Sequence, residues 1–184
     1  MLFPEFPILT SGQLLLRRIT PVDAGRLYDN FSRDEVTEFF DLPTFQSIDE
    51  ADQLVVEWED RYQKKEAIRW AITFSDDPDR LIGTCGFHNF ALEHARAEIG
   101  YELDPNYWQK GIMTTAVSRI IQFGFEQFNL NRIEAFIDPD NVASRRLLNK
   151  LALRSEGILR DYFFEKGRYV DGEIFALLRK ETSF

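Results

Sequence analysis

Ala97-Glu98-Ile99-Gly100-Tyr101-Glu102-Leu103 runs into Asp104-Pro105-Asn106-Tyr107-Trp108-Gln109-Lys110-Gly111-Ile112-Met113-Thr114. The first part belongs to an alternating strand, Arg96–Leu103, bounded by turn residues. From Gly111 the period changes. Met113, Val117, Ile120, Ile121, Gly124 and Phe128 fall on one face of a helix spanning Gly111–Phe128. A glycine where a helix begins lets backbone N–H groups approach a ligand closely. Those free N–H groups and the helix dipole favour a phosphate-bearing anion. Lys110 adds a positive charge beside them. Taken alone, a glycine ahead of a helix is more often an ordinary turn.

Upstream, Gln13–Thr20 reads as a strand stopped by Pro21, with Thr20 as N-cap and Pro21 at the first position of a helix. A further helical stretch covers Asp34–Phe40. Ser47–Lys65 follows, opened by a Ser47/Glu50 capping box and carrying Leu54, Val55, Trp58 and Tyr62 at helical spacing. Ala67–Phe74 and Arg80–Phe90 are strands separated by Asp76-Asp77-Pro78-Asp79. Downstream come a strand Asn131–Asp138, a short helix Asn141–Leu153, and two strands, Gly157–Glu165 and Arg168–Leu178, joined at Lys166-Gly167. No repeat, low-complexity tract or linker interrupts the pattern. The expectation is one α+β domain over residues 1–184, with a mixed central sheet of about seven strands flanked by helices.

With 184 residues the chain can bury a sizeable core. The apolar runs are a few residues long, far short of the roughly 20 that span a bilayer. Met1-Leu2-Phe3-Pro4-Glu5 lacks a basic stretch followed by an apolar run, so no secretory signal is read and the cytoplasm is expected. Cys85 is the sole cysteine, which excludes an internal disulfide, and it reads as a small core hydrophobe. His88 and His94 are six apart, whereas helical metal ligands usually sit three or four apart; no metal site is expected. A net charge of −9 argues against a nucleic-acid partner and leaves room for a basic one.

The Ala97–Thr114 run resembles the coenzyme A-binding segment of the GNAT acetyltransferases. Within that family it looks like the Rim-type branch, which acetylates the N-termini of ribosomal proteins. Leu14-Leu15-Leu16-Arg17 and Asp138-Pro139-Asp140-Asn141-Val142-Ala143-Ser144, followed by Arg145-Arg146-Leu147-Leu148, extend the likeness. It covers the chain from about Ile8 to about Lys180. The family's phosphate loop reads R/Q-x-x-G-x-G/A; Trp108 and Met113 here take its first and last positions. By resemblance, Trp108, Gln109, Lys110, Gly111, Ile112, Met113 and Thr114 hold the pyrophosphate of acetyl-coenzyme A, mainly through main-chain groups. Asn141 would bind the pantetheine arm.

The resemblance also implies a bulge in the Glu98–Leu103 strand, exposing a backbone N–H near Leu103 to the thioester oxygen. A preorganised donor of this kind is worth roughly 3–4 kcal/mol of barrier. Glu98 and Glu102, on one face of the strand with Gly100, are the candidate bases, either directly or through water. Solvated strand glutamates would show the same pattern. Some Rim-type enzymes resemble a different plan, with a glutamate in the strand after the last helix; Phe163 stands there. Many GNAT enzymes use a tyrosine seven residues after the Asn141 position as acid, and Leu148 stands there. Ala152 and Leu153 replace the glycine and phenylalanine usual after that helix. Ser144 matches the serine that protonates the thiolate in Rim-type enzymes, although a first-turn helix serine is commoner. Arg145 and Arg146 would steer the anionic coenzyme or lie on a solvated helix face. Phe39, Phe40 and Phe45 would be exposed, lining an acceptor groove or a dimer contact.

The implied activity is acetyl transfer from acetyl-coenzyme A to a primary amine, foremost a protein N-terminus. A small-molecule amine (amino acid, polyamine or antibiotic) is the alternative, and a non-catalytic coenzyme A-binding module the third reading. No metal, nucleic acid or membrane takes part, and the enzyme acts as a monomer or a homodimer.

Overall fold

The computed structural model describes residues 5–182. Among them eight strands form one sheet in the order β1-β2-β3-β4-β5-β6-β8-β7. They are β1 (Leu9–Ser11), β2 (Leu14–Arg18), β3 (Ile68–Phe74), β4 (Gly83–Ala91), β5 (Arg96–Leu103), β6 (Arg132–Ile137), β7 (Arg154–Glu165) and β8 (Arg168–Leu178). Neighbours pair antiparallel except β5 and β6, which are parallel and joined by a helical crossover. The strand beyond the expected seven is β1, a three-residue strand that reverses through Gly12 to pair with β2. Three residues are too few to display a period.

The helices are α1 (Ala24–Phe31), α2 (Asp34–Thr37), α3 (Ile48–Gln63), α4 (Ile112–Gln127) and α5 (Val142–Lys150). A 3₁₀ turn at Pro21–Asp23 precedes α1, and the Thr20 N–H donates to Asp23 Oδ2 at 2.8 Å. At the start of α3 the Ser47 N–H donates to Glu50 Oε2 at 2.9 Å, closing the second half of the capping box. Helix α4 covers one face of the sheet, where Trp70, Phe87, Ile120, Ile121 and Ile133 are fully buried. The α4 backbone comes so near β4 that a Cβ on Gly124 would lie 2.6 Å from the Phe87 ring. Helices α1 and α3 cover the opposite face through Leu27, Phe31, Leu54 and Val55, packed on Ala71 and Leu81.

Two expectations are corrected. The helix placed at Asp34–Phe40 stops after Thr37. The Lys166 ammonium, from the turn between β7 and β8, donates to the Thr37 and Glu38 carbonyls, while the Thr37 hydroxyl pairs with that of Thr44. A cation on its terminal carbonyls ends the helix from outside its own sequence. The three phenylalanines are also not equally exposed. Phe45 is buried against Phe31, Phe40 packs edge-on to the same ring, and Phe39 remains on the surface.

Candidate active site

The β5–β6 ladder is short. Its pairs are Arg96↔Arg132, Ala97↔Ile133 and Glu98↔Glu134, and it ends there. Beyond Glu98 the two strands part, while β5 stays paired with β4 from Glu98 to Leu103 in unbroken register. The Asp104 N–H donates to the Ile82 carbonyl at 2.8 Å, continuing that register. In an antiparallel pair the inward-pointing groups alternate. The N–H groups of Glu98, Gly100 and Glu102 therefore turn toward β4, and those of Ile99, Tyr101 and Leu103 turn away from it. The register makes the Ile99 N–H the last ladder donor, to the Glu134 carbonyl, and leaves the Tyr101 and Leu103 amides facing the gap. The carbonyl of Leu103 also points away from β4, where the Trp108 indole N–H caps it at 2.7 Å.

This geometry corrects the expected bulge. Pairing with β4 is regular at Leu103; the register shift lies instead in β4, between His88 and Ala91, where Asn89 has φ 48°. The outward amides on β5 arise because β6 departs.

The gap leads to the start of α4. Gln109 (φ 60°) and Gly111 (φ 77°) both adopt left-handed backbone, and Gly111 is the N-cap. A Cβ built on Gly111 would meet nothing within 4 Å, so the cradle is open. The first intrahelical bond runs from the Thr115 N–H to the Gly111 carbonyl, which leaves the Ile112, Met113 and Thr114 amides free of helical partners. Two side chains of the loop are committed within it. Trp108 ties the loop to the end of β5, and Lys110 donates to the Asn106 carbonyl at 2.8 Å beside the Tyr107 ring. The opening beside Gly111 is thus lined by backbone.

Across the gap stands α5. Asn141 is its N-cap, and its side-chain oxygen accepts the Ser144 N–H at 3.0 Å. The Ser144 hydroxyl lies 2.6 Å from the Tyr101 hydroxyl, joining β5 to the first turn of α5. Burial pushes the Tyr101 phenol up to about 12, with a smaller downward pull from Ser144. Leu148 is fully buried in the core. Arg145 is bound to the buried Glu173 carboxylate, at 2.7 Å to Oε1, and to the Pro139 carbonyl at 2.8 Å, so its charge is spent within the fold. Arg146 is exposed.

The two candidate bases share a face but not an environment. Glu102 is enclosed. Its carboxylate takes a 2.9 Å ion pair from Arg69, a hydrogen bond from the Thr84 hydroxyl and a 3.4 Å contact from the Asn30 amide. Arg69 itself lies 4.7 Å from the Trp58 ring centre and donates to Thr84 Oγ1 at 2.6 Å. Burial pushes the Glu102 carboxyl up, and Arg69 and Thr84 pull it partway back. Glu98 is only partly buried and sits at the last β6 pair, where the gap opens. Burial would raise its carboxyl, but Asn89, at 3.1 Å, and His88, at 3.5 Å, outweigh that and hold it below the ordinary value. Next to Glu98 on this face, β6 places Phe136 two residues beyond Glu134. Tyr162 stacks on Phe136 at 5.4 Å, and Phe163 meets it edge-on at 5.5 Å. The position where resemblance sought a glutamate is thus part of an aromatic wall. A separate cavity of about 430 Å³ lies between α2, the Pro43-Thr44 segment and the β7–β8 tip, lined by Asp34, Glu35 and Glu38 among others.

Sequence reasoning missed Tyr101 and Arg69. Alternation placed Tyr101 opposite the two glutamates, but nothing along the chain signalled that α5 would bring Ser144 to it. Cys85, as expected, is a fully buried core residue, and burial raises its thiol. His94 is exposed beside Glu93.

Residues 13–154 match the model of the acetyltransferase (GNAT) domain. The uncharacterized N-acetyltransferase YoaA of Bacillus subtilis is 40% identical over 95% of this chain and 98% of its own length. The [ribosomal protein uS5]-alanine N-acetyltransferase of Escherichia coli is 27% identical over 92% of this chain and 89% of its own. Among solved structures, spermidine N-acetyltransferase from Vibrio cholerae, in complex with coenzyme A and spermine, shares the fold with a TM-score of 0.79. It is 22% identical and the match covers 92% of this chain and 97% of that one. The chain belongs to the GNAT family and is an N-acetyltransferase that uses acetyl-coenzyme A.

Proposed function

We propose that this enzyme acetylates the N-terminal amine of a protein, with ribosomal proteins as the acceptor class. The observation that carries the reading is the β5–β6 gap, whose free amides at Tyr101 and Leu103 lead to the open backbone cradle at Gly111. The pyrophosphate rests on the Ile112, Met113 and Thr114 amides at the α4 start, with Gln109, Lys110 and Gly111 shaping the turn and Trp108 bracing it. The Leu103 amide, nearest the loop, holds the pantetheine arm together with the Asn141 amide N–H groups. The deeper Tyr101 amide polarises the thioester carbonyl.

An N-terminal amine has an ordinary pKa of about 7.7–8.0, so a useful fraction is neutral at pH 7 and no strong base is required. Glu98, held ionised at the mouth of the gap, attracts the ammonium and takes its proton through water. Glu102 is assigned the role of anchoring Arg69. The neutral amine nitrogen bonds to the acetyl carbon and releases its surplus proton to the water at Glu98. The C–S bond breaks with its electron pair going to sulfur. The Ser144 hydroxyl hydrogen-bonds to that thiolate, which takes up a proton from water to leave as the thiol. The protein acceptor is favoured by the likeness, over nearly the whole chain, to the enzyme named for the uS5 alanine.

A small polyamine is the second reading, favoured by the cavity where Asp34, Glu35 and Glu38 outnumber Lys166 and by the net charge of −9. Thiol release from acetyl-coenzyme A, measured with alanine- and serine-initiated peptides, lysine-containing peptides and spermidine, separates the two. Acetylation of the α-amine of the peptides, located by mass spectrometry, is expected. Turnover of spermidine with no peptide activity replaces the first reading by the second.

A further inference from the structure

Ser144 and Tyr101 share one hydrogen bond, and only one of their two protons can lie between the oxygens. The rest of the geometry decides which. The phenol is largely buried, its hydroxyl lies beside no other hydrogen-bonding side chain than Ser144 among the described residues, and it projects from a strand paired with β4. If its O–H did not point at Ser144, a donor would be buried without a partner, a cost that native structures avoid. Ser144 is less constrained: it sits in the first turn of α5, is partly exposed, and can rotate its O–H about the Cβ–Oγ bond. The lower-cost arrangement has Tyr101 donating and Ser144 accepting. The serine proton is then left over and free to turn into the gap between β5 and β6. Because burial holds the phenol protonated up to about 12, this polarity persists through the whole working pH range.

We propose that Tyr101 is a positioning residue that fixes the Ser144 hydroxyl as a donor aimed at the coenzyme sulfur. The inference rests on the role given to Ser144 above. Tyr101 gives up no proton in the reaction; it stabilises the rotamer in which Ser144 faces sulfur and polarises the serine O–H by donating to its oxygen.

The test reads the acidity of coenzyme A itself and needs no acceptor. The thiol of bound coenzyme A is titrated by its thiolate ultraviolet absorbance in wild type, Ser144→Ala, Tyr101→Phe and the double variant. A hydrogen bond to the thiolate lowers the thiol pKa, so Ser144→Ala should raise it by about one pH unit. Tyr101→Phe should raise it by part of that amount, and the double variant should match Ser144→Ala alone, because without the serine there is nothing left to position. The dissociation constant for coenzyme A at neutral pH should stay within about threefold throughout. A structural role for Tyr101 would move affinity and melting temperature and leave the thiol pKa unchanged, which overturns the proposal. So does a Tyr101→Phe shift that adds in full to that of Ser144→Ala. A thiol pKa untouched by Ser144→Ala removes the serine's role and this inference with it. A shift in Ser144→Ala with none in Tyr101→Phe removes the inference alone. If Tyr101→Phe does not fold, 3-fluorotyrosine labelling, which makes the phenol a stronger donor, should lower the thiol pKa further; no change overturns the proposal.

Discussion

Tyr101 and Glu102 are adjacent in β5, and their side chains meet different chemistry. The Tyr101 side faces α4 and α5, and its polar content is one hydroxyl pair beside an apolar core. The Glu102 side faces α1 and α3 and carries Glu98, Gly100, Glu102, Arg69, Thr84 and Asn30. One face has spare hydrogen-bonding capacity at the gap; the other has spent its capacity internally, except at Glu98, where the strands part. The same carboxylate type is pushed up at Glu102, chiefly by burial, and held down at Glu98, where hydrogen bonds from His88 and Asn89 overcome burial. A residue's type and strand parity thus say which face it joins. What lies across from it decides whether it can react.

If the backbone cradle is the coenzyme site, the largest effect belongs to Gly111→Asp. It forces a β-carbon into left-handed backbone and a negative charge into the phosphate position. Acetyl-coenzyme A at about 100 times its dissociation constant should stabilise the wild type by about 2.7 kcal/mol. The variant should show no thermal shift at the same concentration.

On the opposite face, Arg69→Ala leaves the buried Glu102 carboxylate without its cation. A loss of about 3–5 kcal/mol in denaturant unfolding is expected, as for other broken buried pairs. The coenzyme-induced shift of the surviving folded protein should persist, since Arg69 touches the other side of β5. Loss of coenzyme binding with intact stability would break the division between the faces.

Ser144→Ala probes the face that stays open. It should lower kcat by roughly 100-fold, the low end for acid–base groups, with coenzyme affinity and melting temperature almost unchanged. An unaltered kcat would leave the serine as a helix residue only.

The smallest effect is on pH stability. The folded Glu98 carboxyl lies below its unfolded value, so the unfolded chain takes up its proton first as pH falls. Its contribution is complete above the ordinary carboxylate range and is lost as pH drops through the folded value. Glu98→Gln should therefore flatten the acid limb of a stability–pH curve and leave the neutral region within about 1 kcal/mol of wild type.

The helices, the Arg96–Leu103 strand and the glycine turn that opens α4 were legible because period, capping and glycine placement are local properties. Arg168–Leu178 was placed to the residue, and α4 within one residue at each end. The end of α2 was not legible, since the Lys166 cap comes from the other end of the chain. Nor was the source of the outward amides, which depends on where β6 leaves β5. The Glu98 and Glu102 pair was correctly put on one face, but their unequal surroundings come from β3, β4 and α1.

The central claim is that the edge of β5 between Glu98 and Leu103 receives the coenzyme, and amide hydrogen exchange at single-residue resolution tests it most directly. Without ligand, the Tyr101 and Leu103 amides should exchange faster than those of Glu98, Gly100 and Glu102, which are bonded to β4, and that of Ile99, which is bonded to β6. Saturating acetyl-coenzyme A should slow the first two and leave the others nearly unchanged. Protection of the outward amides that appears only with coenzyme, levelling the difference, is the predicted result. Bound coenzyme with no change at Tyr101 and Leu103 would contradict the account.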